Sequence, residues 1–134
     1  MSKPRICKDC PPGSGRPAPY VGPRCATHYR AVKKQRKKAN HERSVQRTFG
    51  LAPGEYDAMF DRQGGVCAIC QRAKGISRRL AVDHNHATGA VRGLLCAPCN
   101  QFIGYLRDDA AAFRRGYEYL SAPPLVGGDT DHTL

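Results

Sequence analysis

The apolar side chains that recur at regular intervals lie mostly in the second half of the chain. Tyr56, Met59 and Phe60 follow the i, i+3, i+4 spacing of a helix with one buried face. This helix would begin near Pro53 and end at the glycine pair that follows "DRQ". The pattern therefore predicts a short helix whose apolar stripe belongs to the core.

Farther along, the pattern changes from helical to extended. "RLAV" at residues 79–82 and "AVRGLLC" at residues 90–96 are typical of two short strands, joined by the turn-forming "NHATG". After the second strand, Phe102, Ile103 and Leu106 return to helical spacing. These elements predict a strand, turn, strand and helix in succession.

The end of the chain adds one more helix. Phe113, Tyr117 and Leu120 lie on one side of a predicted helix at residues 109–120, and Asp108 or Asp109 would cap it. The last twelve residues are poor in regular apolar spacing and are expected to be disordered, with His132 among them. The fold class expected from all these elements is α+β.

Residues 29–47 predict a different kind of helix. The segment has no proline or glycine, and its only apolar trace is thin, at Val32 and Val45. A helix with bases all around it is better suited to lie along nucleic acid than to dock in a core. We interpret His41 as a surface histidine. The candidate DNA-binding side chains are Arg30, Lys33, Lys34, Arg36, Lys37, Lys38, Arg43 and Arg47.

The net charge strengthens this interpretation. The chain carries +11, and residues 1–48 hold thirteen lysines and arginines against two acids, so the whole excess lies there. Cations that neutralise phosphates release counterions and bind without needing a sequence. The alternative is a solvated basic face or a localisation tract.

Seven cysteines in 134 residues require an explanation, since the apolar core is small. Their odd number and CxxC spacing do not fit a disulfide framework, and the start "MSKPRICKDC" lacks a secretory signal. No apolar run approaches the ~20 residues that span a bilayer. We therefore expect a soluble protein of a reducing cytoplasm.

The cysteine spacing predicts two structural zinc sites. Four thiolates in two CxxC pairs are a strong zinc signal, and a redox dithiol is the weaker alternative. The first set ends in "CATH", so that a histidine completes it; the alternative is unrelated cysteines in a flexible arm. The predicted ligands are Cys67, Cys70, Cys96 and Cys99 at one site, and Cys7, Cys10, Cys25 and His28 at the other.

Twenty-five residues separate Cys70 from Cys96, more than the ~15–20 of a simple zinc ribbon. The insertion holds "DHNH", residues 83–86. Asp83 and Asn100 offer oxygen ligands that suit Mg²⁺ or Mn²⁺, and His84 can accept a proton from water near neutral pH. In a regular strand Asp83 would point away from the histidines, so this site requires an irregular backbone there. A plain turn, or a His-x-His site for zinc or nickel, is the alternative.

The segments "GGVCAIC", "LAVDHNHATGAVRGLLCAPCN" and "GYLRDD" resemble the phage recombination endonuclease VII family of HNH, or ββα-metal, nucleases. The resemblance covers roughly residues 56–120. It implies a zinc-bound ββα-metal core with flanking helices, and a metal-dependent DNA endonuclease that leaves 5′-phosphate ends. It also implies Asp83 and Asn100 as ligands of the catalytic ion, His84 as general base, and His86 as a residue that helps to hold the scissile phosphate or the geometry of the site.

From these observations we divide the chain into a zinc knuckle (1–28), a basic helix (29–48), a nuclease domain (49–122) and a disordered tail (123–134). The expected partner is DNA, either duplex, nicked or branched, with a second copy of the chain and phage packaging or recombination proteins as further candidates. A phage-encoded protein would act in the host cytoplasm. The alternatives are a non-catalytic zinc-stabilised DNA-binding or regulatory module, and a homing or restriction-associated HNH enzyme.

Overall fold

The computed structural model describes residues 5–123. Over these residues it contains four helices and one two-stranded sheet, so the expected α+β composition is confirmed. The chain divides into two compact units, Met1–Ala58 and Met59–Leu134. The tail that we expected to be disordered lies, from residue 124 onward, outside the described residues. The proposed domain boundaries at residues 28 and 48 stay predictions.

The first unit begins with a looped knuckle and continues into α1 (Ala26–Phe49). The two arms of the knuckle are joined at an isolated bridge between Ile6 and Pro17, next to which the Cys7 N–H donates to Arg16 O at 2.9 Å. The predicted basic helix is therefore present, and is longer at both ends. It stops at Gly50, whose φ of 71° is readily adopted by glycine.

Only one residue of α1, Val45, is buried. Leu51 and Tyr56 are the next buried apolar side chains along the unit. The prediction for His41 was wrong: it is half-buried, and its ring meets that of Tyr56 edge to face with centroids 4.5 Å apart. The apolar face available on α1 is so narrow that an aromatic histidine contributes to the packing.

Helix α2 (Glu55–Arg62) forms where the Tyr56, Met59 and Phe60 stripe predicted it. Tyr56 is buried, and the other two are half-buried. The chain enters the helix through a turn in which the Ala52 N–H donates to Glu55 Oε2 at 2.7 Å. This contact satisfies one of the amide groups that a helix start leaves unpaired.

The second unit is built on an antiparallel hairpin of β1 (Ala81–His84) and β2 (Val91–Leu95). The predicted first strand was misplaced: β1 begins two residues later than 79 and runs through His84. Asp83 pairs with Gly93, but His84 pairs with Val91, so the register shifts between Asp83 and His84. Such a bulge re-aims the side chains that follow it.

Two helices complete this unit. Helix α3 (Ala97–Tyr105) packs against β1, and α4 (Ala110–Ser121) follows a tight turn. Asp109 is the cap of α4, since its side chain accepts from the Ala111 N–H at 2.9 Å. In the turn, Arg107 and Asp108 have φ values of 54° and 58°, a left-handed conformation that is uncommon for residues other than glycine.

The side chain of Gln63 joins the end of α2 to the hairpin. Its Oε1 accepts from the Leu94 N–H at 2.8 Å, and its Nε2 donates to the carbonyl oxygens of Leu94 and Val66 at 2.8 and 3.0 Å. The amide thus pairs with β2 as a neighbouring strand would. Gly93 leaves room for it, since a Cβ there would lie 3.0 Å from Gln63 Oε1.

Among the described helices, none is both long enough and apolar enough to cross a membrane.

Candidate metal centres and active site

The four predicted ligands of the N-terminal cluster do come together. The Nδ1 atom of His28 lies 3.3 Å from the sulfurs of Cys7 and Cys25 and 3.5 Å from that of Cys10. The sulfurs of Cys10 and Cys25 are 3.9 Å apart. A tetrahedral zinc ion at ~2.3 Å from each sulfur would separate the sulfurs by about 3.8 Å. The four donors therefore fit a closed zinc site.

The second cluster has the same geometry. The ligand atoms of its four cysteines lie within 4.8 Å of one another, and the sulfurs of Cys70 and Cys96 are 3.8 Å apart. In both clusters one cysteine, Cys25 or Cys96, is the residue that precedes a helix. Both clusters could hold zinc.

The thiol pKa values differ sharply within each cluster. Hydrogen bonds from the backbone of Ala73 and Arg72 lower the pKa of Cys70 to about 6. Burial, followed by hydrogen bonds with the neighbouring thiols, raises the pKa of Cys99 to about 12. In the N-terminal cluster burial raises the pKa of Cys7, but hydrogen bonds from the Cys25 and Asp9 backbone outweigh it and bring it to about 6. Four such thiols ionise together only around a cation.

Asp83 stands at the end of the regular part of β1 and is buried, with 5% of its surface exposed. Arg92, on β2, holds both of its oxygens: Nε donates to Oδ2 at 2.7 Å and Nη2 to Oδ1 at 2.9 Å. This bidentate pair neutralises the buried carboxylate. Each carboxylate oxygen retains a further acceptor position, so a cation could bind beside the arginine.

The two histidines follow the bulge. The rings of His84 and His86 have centroids 4.9 Å apart, and their planes are inclined at 44°. His84 is half-buried and His86 is exposed. Asn85, between them, accepts from the N–H groups of Ala87 and Thr88 at 2.8 and 3.0 Å, so it forms the turn. The irregular backbone that the site requires is present.

Asp108 was not among the predicted site residues, although it contacts two of the groups around them. Its Oδ2 lies 2.7 Å from His86 Nδ1, and its Oδ1 accepts from Arg92 Nη2 at 3.0 Å. Hydrogen bonds from His86 and then Arg92 lower the pKa of Asp108 to about 2. A continuous chain of contacts therefore runs from Asp83 through Arg92 and Asp108 to His86.

Asn100 lies on α3, where its N–H donates to Cys96 O at 2.9 Å. Its side chain is half-buried, on the helix that packs against β1. The second cysteine cluster contributes Cys96 and Cys99 to the start of this same helix. A zinc ion bound there would fix the helix that carries Asn100.

A cavity of about 380 Å³ opens beside these groups. Most of its wall is apolar, with contributions from Ile69, Leu95, Ile103 and Phe113, and the three charged side chains Asp83, Arg92 and Asp108 line it too. The charged network therefore lies beside a concave apolar surface, an arrangement common at ligand sites.

The family model for recombination endonuclease VII matches residues 39–122. The chain belongs to the recombination endonuclease VII family. The Gene 59 protein of Mycobacterium phage D29 is 47% identical over 129 residues, which cover 92% of this chain and 78% of that protein. The Gene 59 protein of Mycobacterium phage L5 is 46% identical over the same shares. No solved structure matches the chain.

The matched residues of this endonuclease VII family member include the second cysteine cluster and the "DHNH" segment. The match begins at residue 39, within α1. The N-terminal cluster lies outside it. Similarity to the phage proteins extends farther, since it covers 92% of the chain. The resemblance of residues 56–120 to the recombination endonuclease VII family is thus confirmed.

All eight predicted DNA-binding side chains on α1 are exposed. Lys38 Nζ lies 3.0 Å from Asp57 Oδ2, and Arg43 Nη2 donates to Asn40 Oδ1 at 2.6 Å. A surface ion pair such as that of Lys38 is weak, and a phosphate can replace the carboxylate. Their exposure is compatible with the predicted role.

Proposed function

We propose that this chain is a metal-dependent endonuclease that hydrolyses phosphodiester bonds of DNA. The observation that carries the proposal is the bulge between Asp83 and His84, in a chain of the endonuclease VII family. The buried carboxylate of Asp83 and the two histidines lie next to this bulge in the chain, and the helix that packs against β1 starts at two of the proposed zinc ligands. Two structural zinc ions and one catalytic Mg²⁺ or Mn²⁺ are the proposed cofactors.

Asp83 and Asn100 would hold the catalytic ion. Carboxylate and amide oxygens are the donors that hard divalent cations prefer, and a Mg²⁺ ion usually keeps several waters besides one or two protein ligands. When bound, the ion would stabilise negative charge on the phosphate oxygens. Arg92 orients the carboxylate of Asp83 for this role through two hydrogen bonds.

His84 acts as the general base. It accepts a proton from the attacking water, whose oxygen forms the new bond to phosphorus while the bond to the 3′ oxygen breaks. This polarity leaves the phosphate on the 5′ end, as in the family. With a proton on each ring nitrogen, His86 donates from Nδ1 to Asp108 and can donate from Nε2 to a phosphate oxygen. Asp108 orients the His86 ring.

A plasmid-nicking assay tests the assignment. With Mg²⁺ or Mn²⁺ the full chain should nick supercoiled DNA, and His84→Ala should lose about 10²- to 10⁴-fold in rate, the contribution of a positioned base. Binding to the same DNA should be unchanged in His84→Ala, which excludes a folding defect. Equal nicking by the variant would refute His84 as the base.

A non-catalytic zinc-stabilised DNA-binding module is the second candidate. It is favoured by one observation, that Arg92 already occupies a position on each oxygen of Asp83 as a structural ion pair would. Asp83→Asn separates the two functions. It should abolish nicking if Asp83 binds the catalytic ion, whereas a binding module would show no divalent-dependent nicking in the unmodified chain.

The DNA structure that is cleaved can be identified by comparing a four-way junction with a linear duplex of matched sequence. Faster cleavage of the junction would make branched DNA the substrate, and equal rates would make it ordinary duplex. A second copy of the chain, and phage packaging or recombination proteins, are the partners proposed for such an enzyme in the host cytoplasm.

A further inference from the structure

The first unit carries a pair of exposed aromatic rings close to its cysteine cluster. Tyr20 and Tyr29 stack with centroids 4.7 Å apart and planes inclined at 23°. Tyr20 remains 40% exposed and Tyr29 37% exposed. Their contact uses one face of each ring, and we call the two stacked rings the aromatic platform.

The cluster fixes both rings in place. Tyr29 follows the ligand His28 on the first turn of α1, and Tyr20 lies in the loop between the ligands Cys10 and Cys25. A loop residue and a helix residue are thus held against each other at one small metal-binding unit. A platform that is already rigid loses little entropy when a ligand binds to it.

Positive charge surrounds this platform. Lys33 and Arg36 follow Tyr29 by four and seven residues, so they lie on its side of α1, and both are exposed. Residues 1–48 carry a net charge of +11. A purely structural role for the tyrosines, holding the loop on α1, would not require cations along the same helix face.

Aromatic faces and cations together match the chemistry of an unpaired nucleotide. Its base offers a π face for stacking and its phosphate an anion for lysine or arginine. Paired bases in a duplex are stacked on each other and cannot lie flat on an external ring. The platform would therefore discriminate in favour of DNA that has unpaired bases.

We infer that Tyr20 and Tyr29, with Lys33 and Arg36, form a binding site for unpaired nucleotides of DNA. The inference deepens the proposed function by specifying the substrate class, and it rests on that function only for DNA being the partner. Single-stranded segments, such as those at a branch point or a gap, would bind through this unit.

Fluorescence anisotropy with the full zinc-loaded chain tests the inference, without Mg²⁺ or Mn²⁺ so that no cleavage occurs. The probes are a labelled oligothymidylate and a duplex of equal length. Tyr20→Leu and Tyr29→Leu should each weaken binding to oligothymidylate by about tenfold, since a stacked base contributes about that factor. Binding to the duplex should be unchanged. Tyr20→Trp, with a larger π face, should strengthen oligothymidylate binding.

Tyr117→Leu is the matched control, an exposed tyrosine on α4 that should change neither affinity. Zinc content is measured for every variant. If Tyr20→Leu and Tyr20→Trp bind oligothymidylate equally, or if oligothymidylate and duplex are weakened alike, the inference is overturned. If a leucine variant loses zinc, Tyr20→Trp alone decides the test, and its affinity for oligothymidylate must then exceed that of the unmodified chain.

Cleavage is measured separately. If the unmodified chain does not nick DNA, the proposed function is overturned, and the preference for unpaired nucleotides is unaffected. If the tyrosine variants bind oligothymidylate as tightly as the unmodified chain does, the binding site for unpaired nucleotides is refuted, whether or not the chain nicks DNA.

Discussion

Asp108 connects two side chains that come from different parts of the second unit. His86 follows β1, Arg92 is the extra residue of the bulge on β2, and Asp108 contacts both from the turn before α4. The turn holds Asp108 in a left-handed conformation with φ of 58°. Backbone strain of this kind is found preferentially at functional sites. We therefore treat Asp108 as a positioning residue for His86.

Asp108→Asn tests this role without disturbing the turn, because asparagine tolerates the left-handed conformation well. The amide loses the negative charge that holds His86 and Arg92 together. We expect kcat for nicking to fall by about tenfold with little change in KM, the loss expected when an orienting hydrogen bond is weakened. Nicking kinetics with a defined duplex measure both.

The control is Asp109→Asn, at the next position. Asparagine caps helices as well as aspartate does, so α4 should persist and nicking should be unchanged. A loss of activity as large in Asp109→Asn as in Asp108→Asn would show that the turn, and not the His86 contact, is what matters.

At the scale of single residues, the sequence predicted the groups that are adjacent in it. Asp83, His84 and His86 were recognised because they share one short segment. Arg92 was missed because its contact with Asp83 depends on the hairpin register, and Asp108 because a strand and a helix separate it from β1. The only available signal was the adjacent acids of "RDD", which predicted a helix cap and gave no indication of a second role.

At the scale of elements, helices were predicted better than strands. The stripe of α2 and the long basic helix were both found, since each has a period that the sequence repeats several times. The predicted first strand ended at Val82, whereas β1 includes Asp83 and His84. Alternation along β1 cannot reveal the bulge, because the extra residue, Arg92, lies on the partner strand β2.

The hydrogen bonds of Gln63 could not be predicted from the sequence either, and they lead to a prediction at the scale of elements. Gln63→Ala removes three hydrogen bonds that join α2 to the backbone of Val66 and Leu94. We expect it to lower the free energy of unfolding by about 2 kcal/mol, since the part-buried Leu94 amide and carbonyl would lose these partners. Denaturant unfolding of the zinc-loaded chain measures the change.

Gln101→Ala, on the exposed surface of α3, is the matched control and should leave the unfolding midpoint nearly unchanged. Equal midpoints for the two variants would show that the Gln63 amide contributes nothing to the hairpin.

At the scale of the whole molecule, the two cysteine clusters lie in different compact units. Their ligand sets were predicted completely, because CxxC and CxxH spacings are local and chemically specific. The division of the chain between Ala58 and Met59, within α2, could not be predicted, since it depends on contacts and not on composition.

The clusters predict a zinc content of two ions per chain. Cys7→Ser and Cys99→Ser should each reduce it to one, because the loss of one ligand opens a single tetrahedral site and leaves the other unit closed. Only Cys99→Ser should also abolish nicking, since that cluster anchors the start of α3. Elemental analysis gives the count. One zinc ion in the unmodified chain would contradict the N-terminal site.

The charge of α1 leads to a prediction about DNA affinity. Deletion of residues 1–47 should weaken binding to all sequences alike, but it would also cut through α1 and remove the buried Val45. Neutralising charge in place is a sharper test. Lys33→Gln, Lys34→Gln and Lys37→Gln combined should weaken duplex binding for every sequence alike. The slope of log K against log salt concentration should become shallower by about 2 to 3, since each phosphate contact contributes ~0.9.

A matched triple variant in the second unit controls for net charge. Arg72→Gln, Lys74→Gln and Arg78→Gln remove the same charge from exposed positions outside α1. If α1 lies along the phosphate backbone, this variant should keep most of the original salt dependence, because the slope counts only the cations that contact phosphates. Equal slopes for the two triple variants would mean that the basic helix attracts DNA only through the total charge of the chain. A loss of affinity confined to one DNA sequence would instead indicate base recognition by α1, and the assignment of its lysines to phosphates would then be wrong.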